Sequence, residues 1–134
     1  MLNGLNQEIG FFTDALNLRA YRHQILAANI ANADTPNYKA RDFDFAAVLR
    51  NARSNMANLP LAGTSPLHLG ANPSDMSTWV KPLYRQVLQP SLDGNTVDTD
   101  VELAQFSDNA IRYQADLIFL RNKFQKLQMA IQGQ

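Results

Sequence analysis

The stretch from residue 99 to residue 132, TDVELAQFSDNAIRYQADLIFLRNKFQKLQMAIQ, carries the most regular apolar pattern in the chain. Its apolar residues recur at alternating steps of three and four, at Leu103, Phe106, Ala110, Tyr113, Leu117, Leu120, Phe124, Leu127 and Ile131. This spacing puts the side chains on one face of an α-helix, and its repetition over four heptads is typical of a coiled-coil seam. The pattern therefore predicts a long C-terminal helix that packs lengthwise against another helix.

Signals at both ends of this stretch support the same helix. Thr99 and Glu102 have the spacing of a capping box, and Asp98 and Asp100 place negative charge near the positive end of the helix dipole. Gly133 follows the last apolar residue, where a glycine commonly ends a helix. The helix is therefore expected to run from about Thr99 to residue 132.

A second helical pattern runs from about Leu5 to Ala33. Its apolar residues fall on a similar spacing, interrupted by Arg19 and His23: Leu2, Leu5, Ile9, Phe12, Leu16, Leu26, Ile30 and Ala33. A neighbouring face carries another apolar series with a spacing of seven, Phe11, Leu18 and Ile25. A helix with two apolar faces needs more than one neighbour. We also expect His23 to be partly buried and hydrogen-bonded, since it falls within the apolar stripe.

The middle of the chain differs in composition from both ends. Residues 51–97 contain five of the six prolines, and a proline removes a backbone donor and blocks a helix interior. This region is predicted to be loop with short extended pieces, with weak strand character at 79–87 and a turn through Asp93 and Gly94.

Together these patterns predict a mainly α fold. The long N- and C-terminal helices pack as a coiled-coil-like pair, parallel or antiparallel, and the irregular, proline-rich middle region carries short β segments. The expected parts are an N-terminal helix at 1–33, a connector at 34–50, an outer region at 51–97 and a C-terminal helix at 98–134.

The segment ANIANADTPNYKARDFDF, residues 28–45, joins the first helix to the middle region. Asn29 and Asn32 are three residues apart and share a helix face. Thr35-Pro36-Asn37-Tyr38 fits a type II turn, since proline suits its second position and asparagine tolerates positive φ at its third. The residues alone leave two interpretations open, an ordered connector and a surface for specific subunit contact.

Composition argues against several functional classes. Twelve basic and twelve acidic residues cancel, which disfavours nucleic-acid binding through phosphate neutralisation. There is no cysteine, and two histidines are too few for a histidine-based metal site. Nucleophile, phosphate-loop and dinucleotide motifs are missing, so no catalytic residue, cofactor or small-molecule substrate is expected. The N-terminus lacks the features of a secretory signal peptide, so any export is expected to use another route.

Residues 28–45 resemble the N-terminal signature of the flagellar basal-body rod proteins, an asparagine-rich end to the first helix followed by a turn. Residues 89–117, QPSLDGNTVDTDVELAQFSDNAIRYQADL, resemble the C-terminal segment of a proximal member of that family. Asn37 departs from the family pattern, which often has glycine there, and asparagine is the next best residue for that conformation.

This resemblance implies a structural subunit of the rod that polymerises through its terminal helices, transmits torque for motility and is exported into the periplasm by the flagellar type III apparatus without a cleaved signal. The residues that it assigns to the rod motif and to subunit contact are Asn29, Ile30, Ala31, Asn32, Thr35, Pro36, Asn37, Tyr38, Lys39, Arg41, Asp42, Phe43 and Phe45. The helix packing seam is expected to comprise Ile9, Phe12, Leu16, Leu26, Leu103, Phe106, Tyr113, Leu117, Leu120, Phe124, Leu127 and Ile131.

The resemblance also implies a set of partners. These are further copies of the chain, the rod proteins FlgC, FlgF and FlgG, the adaptor FliE that joins the rod to the membrane ring, and the export apparatus. The heptad pattern by itself is also compatible with a different class of protein. This alternative is a soluble coiled-coil adaptor or chaperone that binds a partner helix. Such an adaptor has no need of residues 28–45.

Overall fold

The structure, a computed structural model, describes residues 2–55, 80–86 and 91–133. In chain order its elements are α1 (Leu2–Ala31), β1 (Arg41–Asp42), α2 (Phe45–Asn55), β2 (Leu83–Tyr84) and α3 (Thr99–Gln132). The predicted mainly α fold with two long terminal helices is confirmed. Within the described ranges, no helix is both long enough and apolar enough to span a membrane.

The two long helices pack side by side and run antiparallel, which decides between the two orientations that the sequence leaves open. Early residues of α1 meet late residues of α3 and the reverse: Glu8 pairs with Lys123, Arg19 with Asp116, and Asn29 with Glu102. The aromatic rings of Phe12 and Phe119 stack with their centroids 6.5 Å apart. Contacts therefore extend along most of the pair.

The N-terminus of α3 differs from the predicted capping box. Asp98 is the N-cap, and its carboxylate accepts hydrogen bonds from the backbone N–H groups of Asp100 and Val101 at 3.1 and 3.3 Å. The capping box of Thr99 and Glu102 is therefore wrong by one residue. Glu102 is buried against α1, where its carboxylate accepts a hydrogen bond from Asn29.

Two predicted backbone features are confirmed. Gly133 caps α3 at φ 73°, and its N–H donates to the carbonyl of Met129. Asn37 has a φ of 60°, and the N–H of Tyr38 donates to the carbonyl of Thr35 at 3.3 Å. The turn after α1 therefore forms with asparagine at its third position.

The second apolar face of α1 is covered within the same chain. Leu18, Phe43 and Val80 form a buried cluster. The partly buried side chains around that cluster are Tyr21, Ile25, Phe45, Val48 and Leu49. The extra neighbour that two apolar faces require is therefore supplied, at least for Leu18 and Ile25, by α2 and the connector.

Helix α2 was not predicted, since residues 34–50 were expected to be a connector and residues from 51 onward a loop. Asp44 starts this helix, with its carboxylate accepting from the N–H of Ala47 at 3.0 Å. Phe45, Val48 and Leu49 then share one face, and that face meets α1. Eleven residues give too few helical repeats for the pattern to stand out, and the first proline of the middle region comes only at residue 60.

A short antiparallel ladder joins the connector to the middle region. Arg41 lies opposite Tyr84 and Asp42 lies opposite Leu83. The predicted strand character around Trp79, Val80, Tyr84 and Val87 is confirmed for Tyr84, which forms β2 with Leu83. It is wrong for Val80, which lies outside the strand in the buried cluster, and Trp79 and Val87 lie outside the described residues. The loop predicted for 56–79 and 87–90 also lies outside them.

Replacing Gly94 with alanine should destabilise the fold by about 1 to 3 kcal/mol. Gly94 has a φ of 73°, and an added Cβ would lie 2.6 Å from the side-chain oxygen of Asn37. Gly4→Ala is the matched control, because nothing lies within 4 Å of a Cβ at that helical position. We expect the control to stabilise the helix by about 0.5 to 1 kcal/mol. Thermal unfolding of both variants measures the difference, and equal effects would contradict the left-handed backbone conformation of Gly94.

Candidate functional site

The two segments that carry the family resemblance lie against each other. The backbone N–H of Asn37 donates to the carbonyl of Asp93 at 2.9 Å, and that of Thr96 donates to the carbonyl of Tyr38 at 3.0 Å. The N–H of Ala40 donates to the hydroxyl of Thr96 at 2.8 Å. The connector after α1 and the approach to α3 therefore form one hydrogen-bonded unit at one end of the helix pair.

Asn95, in the segment that leads into α3, binds the turn that follows α1. Its side chain is 5% exposed, and Nδ2 lies 2.7 to 3.0 Å from the carbonyl oxygens of Asn32, Ala33 and Thr35. Its Oδ1 accepts from the N–H of Val97 at 2.7 Å. The three residues that accept from Nδ2 directly follow α1, which ends at Ala31, so Asn95 holds the turn after the helix in place.

Asn29 stands at the centre of the site and is fully buried. Its Nδ2 donates to the carbonyl of Arg41 at 2.7 Å and to the carboxylate of Glu102 at 3.1 Å. Its Oδ1 accepts from the N–H of Arg41 at 3.1 Å and from the hydroxyl of Tyr38 at 3.3 Å. One carboxamide therefore joins α1, the connector and α3, and every donor and acceptor that it has is used.

Four charged residues complete the site around Asn29. Arg22 donates two hydrogen bonds to the carboxylate of Asp42, at 2.9 and 2.7 Å. Arg85, from the middle region, bridges Asp42 at 2.7 Å and Glu102 at 2.6 Å. Two cations and two anions balance, and the contacts connect α1, the connector, the middle region and α3.

The pKa values of the two carboxylates are shifted in opposite directions. Burial acts to raise the pKa of Asp42, but the hydrogen bonds from Arg22 and from the N–H of Phe43 outweigh it, so the pKa lies below its usual value. The pKa of Glu102 is raised because burial has the largest effect there, exceeding the hydrogen bond from Asn29 and the attraction of Arg85.

These shifts predict how the stability depends on pH. With its lowered pKa, Asp42 contributes fully above the unfolded value of about 3.9, and that contribution is lost as pH falls through the folded-state pKa. Asp42→Asn should therefore flatten the dependence of the unfolding free energy on pH below about 4.

Glu102→Gln is a control of opposite sign. The stabilisation linked to Glu102 is present below the unfolded value of about 4.3 and is lost as pH rises through its raised folded-state pKa. Removing that group should make stability rise more steeply with pH. Denaturant titrations between about pH 3 and pH 7 measure both profiles, and an Asp42→Asn profile parallel to that of the unmodified chain would contradict the assignment.

A second polar contact lies halfway along the helix pair. Asn109 of α3 is fully buried, and its Nδ2 donates to the carbonyl of Arg19 at 2.9 Å and lies 3.3 Å from Nδ1 of His23. The ring of His23 stacks on Phe106 with centroids 3.7 Å apart. The predicted partly buried, hydrogen-bonded state of His23 is confirmed. A buried asparagine in a helix seam is a common device for fixing the register of two helices.

The structure divides the predicted seam of α3 between two faces. The residues that face α1 follow a 4-3 pattern displaced in part from the predicted one: Glu102, Phe106, Asn109, Tyr113, Asp116, Leu120, Lys123 and Leu127. Phe106, Tyr113, Leu120 and Leu127 belong to both patterns and are half-buried. On α1, Leu16 and Leu26 are buried, and Ile9 and Phe12 are half-buried.

The other seam residues form a line on the outside of α3. We call Leu103, Ala110, Leu117, Phe124 and Ile131 the outer stripe. The exposed fractions of its four large members are 51% for Leu103, 43% for Leu117, 51% for Phe124 and 85% for Ile131. Their spacing of seven keeps them on one side of the helix, so α3 presents an apolar edge beside the face that meets α1.

The residues predicted for the rod motif lie at different depths. Asn29 and Phe43 are buried. Ile30, Asn32, Tyr38, Asp42 and Phe45 are half-buried, and Ala31, Thr35, Pro36, Asn37, Lys39 and Arg41 are exposed. Asn32 bonds locally, to the carbonyl of Ala28 and the hydroxyl of Thr35. A role of the exposed members in subunit contact stays a prediction.

Five residues that contribute to the site were not predicted: Arg22, Arg85, Asn95, Glu102 and Asn109. Glu102 and Asn109 are seven residues apart on α3, which places them on the same helix face. Because both are polar, a search for repeating apolar residues does not detect that face. Arg85 and Asn95 act from irregular segments, where no periodic signal exists. Among the residues that the structure describes, no group of three His, Cys, Asp or Glu side chains is arranged to hold a metal ion.

The described residues form an antiparallel pair of terminal helices that a buried polar site joins at one end, and comparison with known proteins gives the class of protein. The sequence pattern of the family described as "Flagella basal body rod protein" matches residues 12–39, which include the end of α1 and the turn after it. The chain belongs to the flagella basal body rod protein family.

Its similarity to particular members covers nearly the whole chain. It is 47% identical to the flagellar basal body rod protein FlgB of Salmonella typhimurium, with 99% of each chain covered. It is 43% identical to FlgB of Proteus mirabilis, with 98% of each chain covered, and 41% identical to FlgB of Cereibacter sphaeroides, with 99% of this chain and all of that one covered. The predicted family and the predicted absence of an enzymatic role agree with these relatives, which are structural rod proteins.

Proposed function

We propose that this protein is a subunit of the proximal part of the flagellar rod, polymerises with other copies through α1 and α3, and so helps to transmit torque for motility. Its family and its FlgB relatives make it a structural subunit of the bacterial flagellar basal-body rod.

The exposure of the outer stripe is the main support for polymerisation through α3. Four large apolar side chains at heptad spacing, each at least 43% exposed, lie along a helix whose neighbouring face already packs on α1. Taking such a side chain from full exposure to full burial contributes on the order of 1.5 to 3 kcal/mol, and roughly half of that is still to be gained for the three half-exposed members. A line of apolar side chains along one helix is suited to packing against another helix. A chain that meets its neighbours through this edge would bury it only on assembly.

Location and partners follow from the same proposal. The rod crosses the periplasm, so we expect export through the flagellar type III apparatus, without a cleaved signal peptide. The remaining partners are the rod proteins FlgC, FlgF and FlgG at one end, and the adaptor FliE with the membrane ring at the other. The exposed turn at residues 35–37 and the outer stripe are the candidate surfaces for these contacts.

Fractionation of flagellated cells tests this proposal. Basal bodies are purified from the bacterium that carries this gene, and an epitope-tagged copy of the protein is followed by immunoblotting and by gold labelling. We expect the protein in the basal-body fraction, with gold on the rod near the membrane ring. A protein that stays in the cytoplasm as a discrete complex with one partner would instead favour the coiled-coil adaptor.

A further inference from the structure

A second surface on the helix pair has properties that complement the outer stripe. It lies on the side of α1 that meets neither α3 nor α2, and we call it the α1 outer face. Its members follow alternating steps of four and three and are all exposed: Thr13, Asn17, Ala20, Gln24, Ala27 and Ala31. Three of the six are alanines, and the other three are polar residues without a charge.

We propose that the outer stripe of α3 in one copy packs against the α1 outer face of the next copy. This inference rests on the proposed function, because it names the surfaces through which a rod subunit would meet its own kind. The outer stripe supplies large side chains at heptad spacing, and the α1 outer face supplies positions at the same period where alanine leaves room for them. Knobs-into-holes packing needs this combination of shared period and complementary size.

One charged residue without an ion-pair partner among the described residues flanks each of the two surfaces, so Arg121 of one copy can pair with Asp14 of the next. Arg121 lies four residues after Leu117 and three before Phe124, so it flanks the outer stripe, and it is exposed. Asp14 borders the α1 outer face next to Thr13 and is half-buried. Within the described part of the chain, neither side chain has an ion-pair partner. Burial raises the pKa of Asp14, as expected of a carboxylate that lacks a neighbouring cation.

Symmetry distinguishes this arrangement from pairing of two outer stripes. Two copies that meet stripe to stripe form an isologous dimer, in which both stripes are consumed and no further copy can add. Pairing of the outer stripe with the α1 outer face is heterologous, so each copy keeps one free surface of each kind. A heterologous contact that does not close into a ring generates a helical assembly, and a shaft requires such an assembly.

Cysteine cross-linking tests the pairing, since the chain has no cysteine of its own. Leu117→Cys marks the outer stripe, and each of Asn17→Cys, Ala20→Cys, Gln24→Cys and Ala27→Cys marks one position of the α1 outer face. Every double variant replaces the native protein in the bacterium that carries this gene, and mild oxidation is followed by a non-reducing gel. Arg112→Cys replaces Leu117→Cys in the control, because it is exposed and lies two residues from Ala110, on the other side of α3.

We expect disulfide-linked dimers and higher multimers for at least one double variant, at least about tenfold above its Arg112→Cys control, with none for either cysteine alone. Efficient cross-linking of Leu117→Cys alone would overturn the proposal in favour of stripe-to-stripe pairing. Rods that form normally by electron microscopy without any cross-link would also overturn it, and would leave the proposed function intact. Loss of the proposed function would show differently, as a protein that is missing from the rods of unmodified cells.

Discussion

We expect Leu117→Asp to abolish rod assembly and motility while leaving the isolated chain folded. Leu117 is 43% exposed in the single chain, so a carboxylate there keeps access to water and the helix pair should form. In an assembled rod the same carboxylate would be removed from water at the contact between two copies, where Arg121, four residues further along α3, is taken up by Asp14 of the next copy. An unpaired buried charge costs several kcal/mol, and the cost would recur at every contact between copies.

The measurement combines two assays. Motility in soft agar and electron microscopy of basal bodies report assembly, and circular dichroism with thermal unfolding reports folding of the purified chain. Leu117→Met is the matched control, because it keeps an apolar side chain of similar size and should support normal motility. Complete rods in cells that carry only the Leu117→Asp chain would show that the outer stripe is not an interface.

The second large effect is expected at Asn29, where alanine should destabilise the fold by about 3 kcal/mol or more. Asn29→Ala removes both hydrogen bonds to Arg41, leaves a carboxylate oxygen of Glu102 without its amide donor, and frees the hydroxyl of Tyr38. A buried group that loses its partner costs about 1 to 3 kcal/mol, and these losses share one side chain and so add only in part.

Asn32→Ala provides the comparison, because it removes the same chemical group three residues further along α1. Asn32 is half-buried and bonds only to Ala28 and Thr35 among the described side-chain contacts. We expect its loss to cost about 0.5 to 1 kcal/mol. Urea unfolding of both purified variants gives the two free energies. Equal effects would contradict the central position that the structure gives to Asn29.

The sequence predicts the long helices well because their information is periodic. The apolar repeats of 103–131 and of the first helix, with Gly133 at the end, are enough to give the two helices that the structure contains. Thr35-Pro36-Asn37-Tyr38 likewise carries a local preference strong enough to predict its turn. Each of these features depends on residues close together in the chain.

Features that depend on distant residues could not be predicted in the same way. Which half of the α3 seam faces α1 is decided by Glu102 and Asn109, whose partners lie 73 and 86 to 90 residues away along the chain. The ion pairs of Arg85 depend on how the middle region returns to the helix pair, and no local preference specifies that path. Helix α2 was missed for another reason, because its apolar face is short and gains stability from Leu18 and Val80.

The contacts between residues 28–45 and residues 89–117 give a physical reason for the particular amino acids found in both segments. Asn29 donates to Glu102, Asn95 donates to the turn that follows α1, and that turn lies against Gly94 at Asn37. A change in one segment leaves a buried polar group or a steric conflict in the other. This mutual dependence explains why two short stretches, far apart in the chain, suffice to suggest the family.

Electron microscopy of basal bodies from cells that lack this gene shows whether the protein builds the rod. We expect membrane rings without a rod and non-motile cells, and we expect the intact gene, but not its Leu117→Asp form, to correct both defects. Complete rods and normal motility in the deletion strain would show that the protein is not required as a rod subunit.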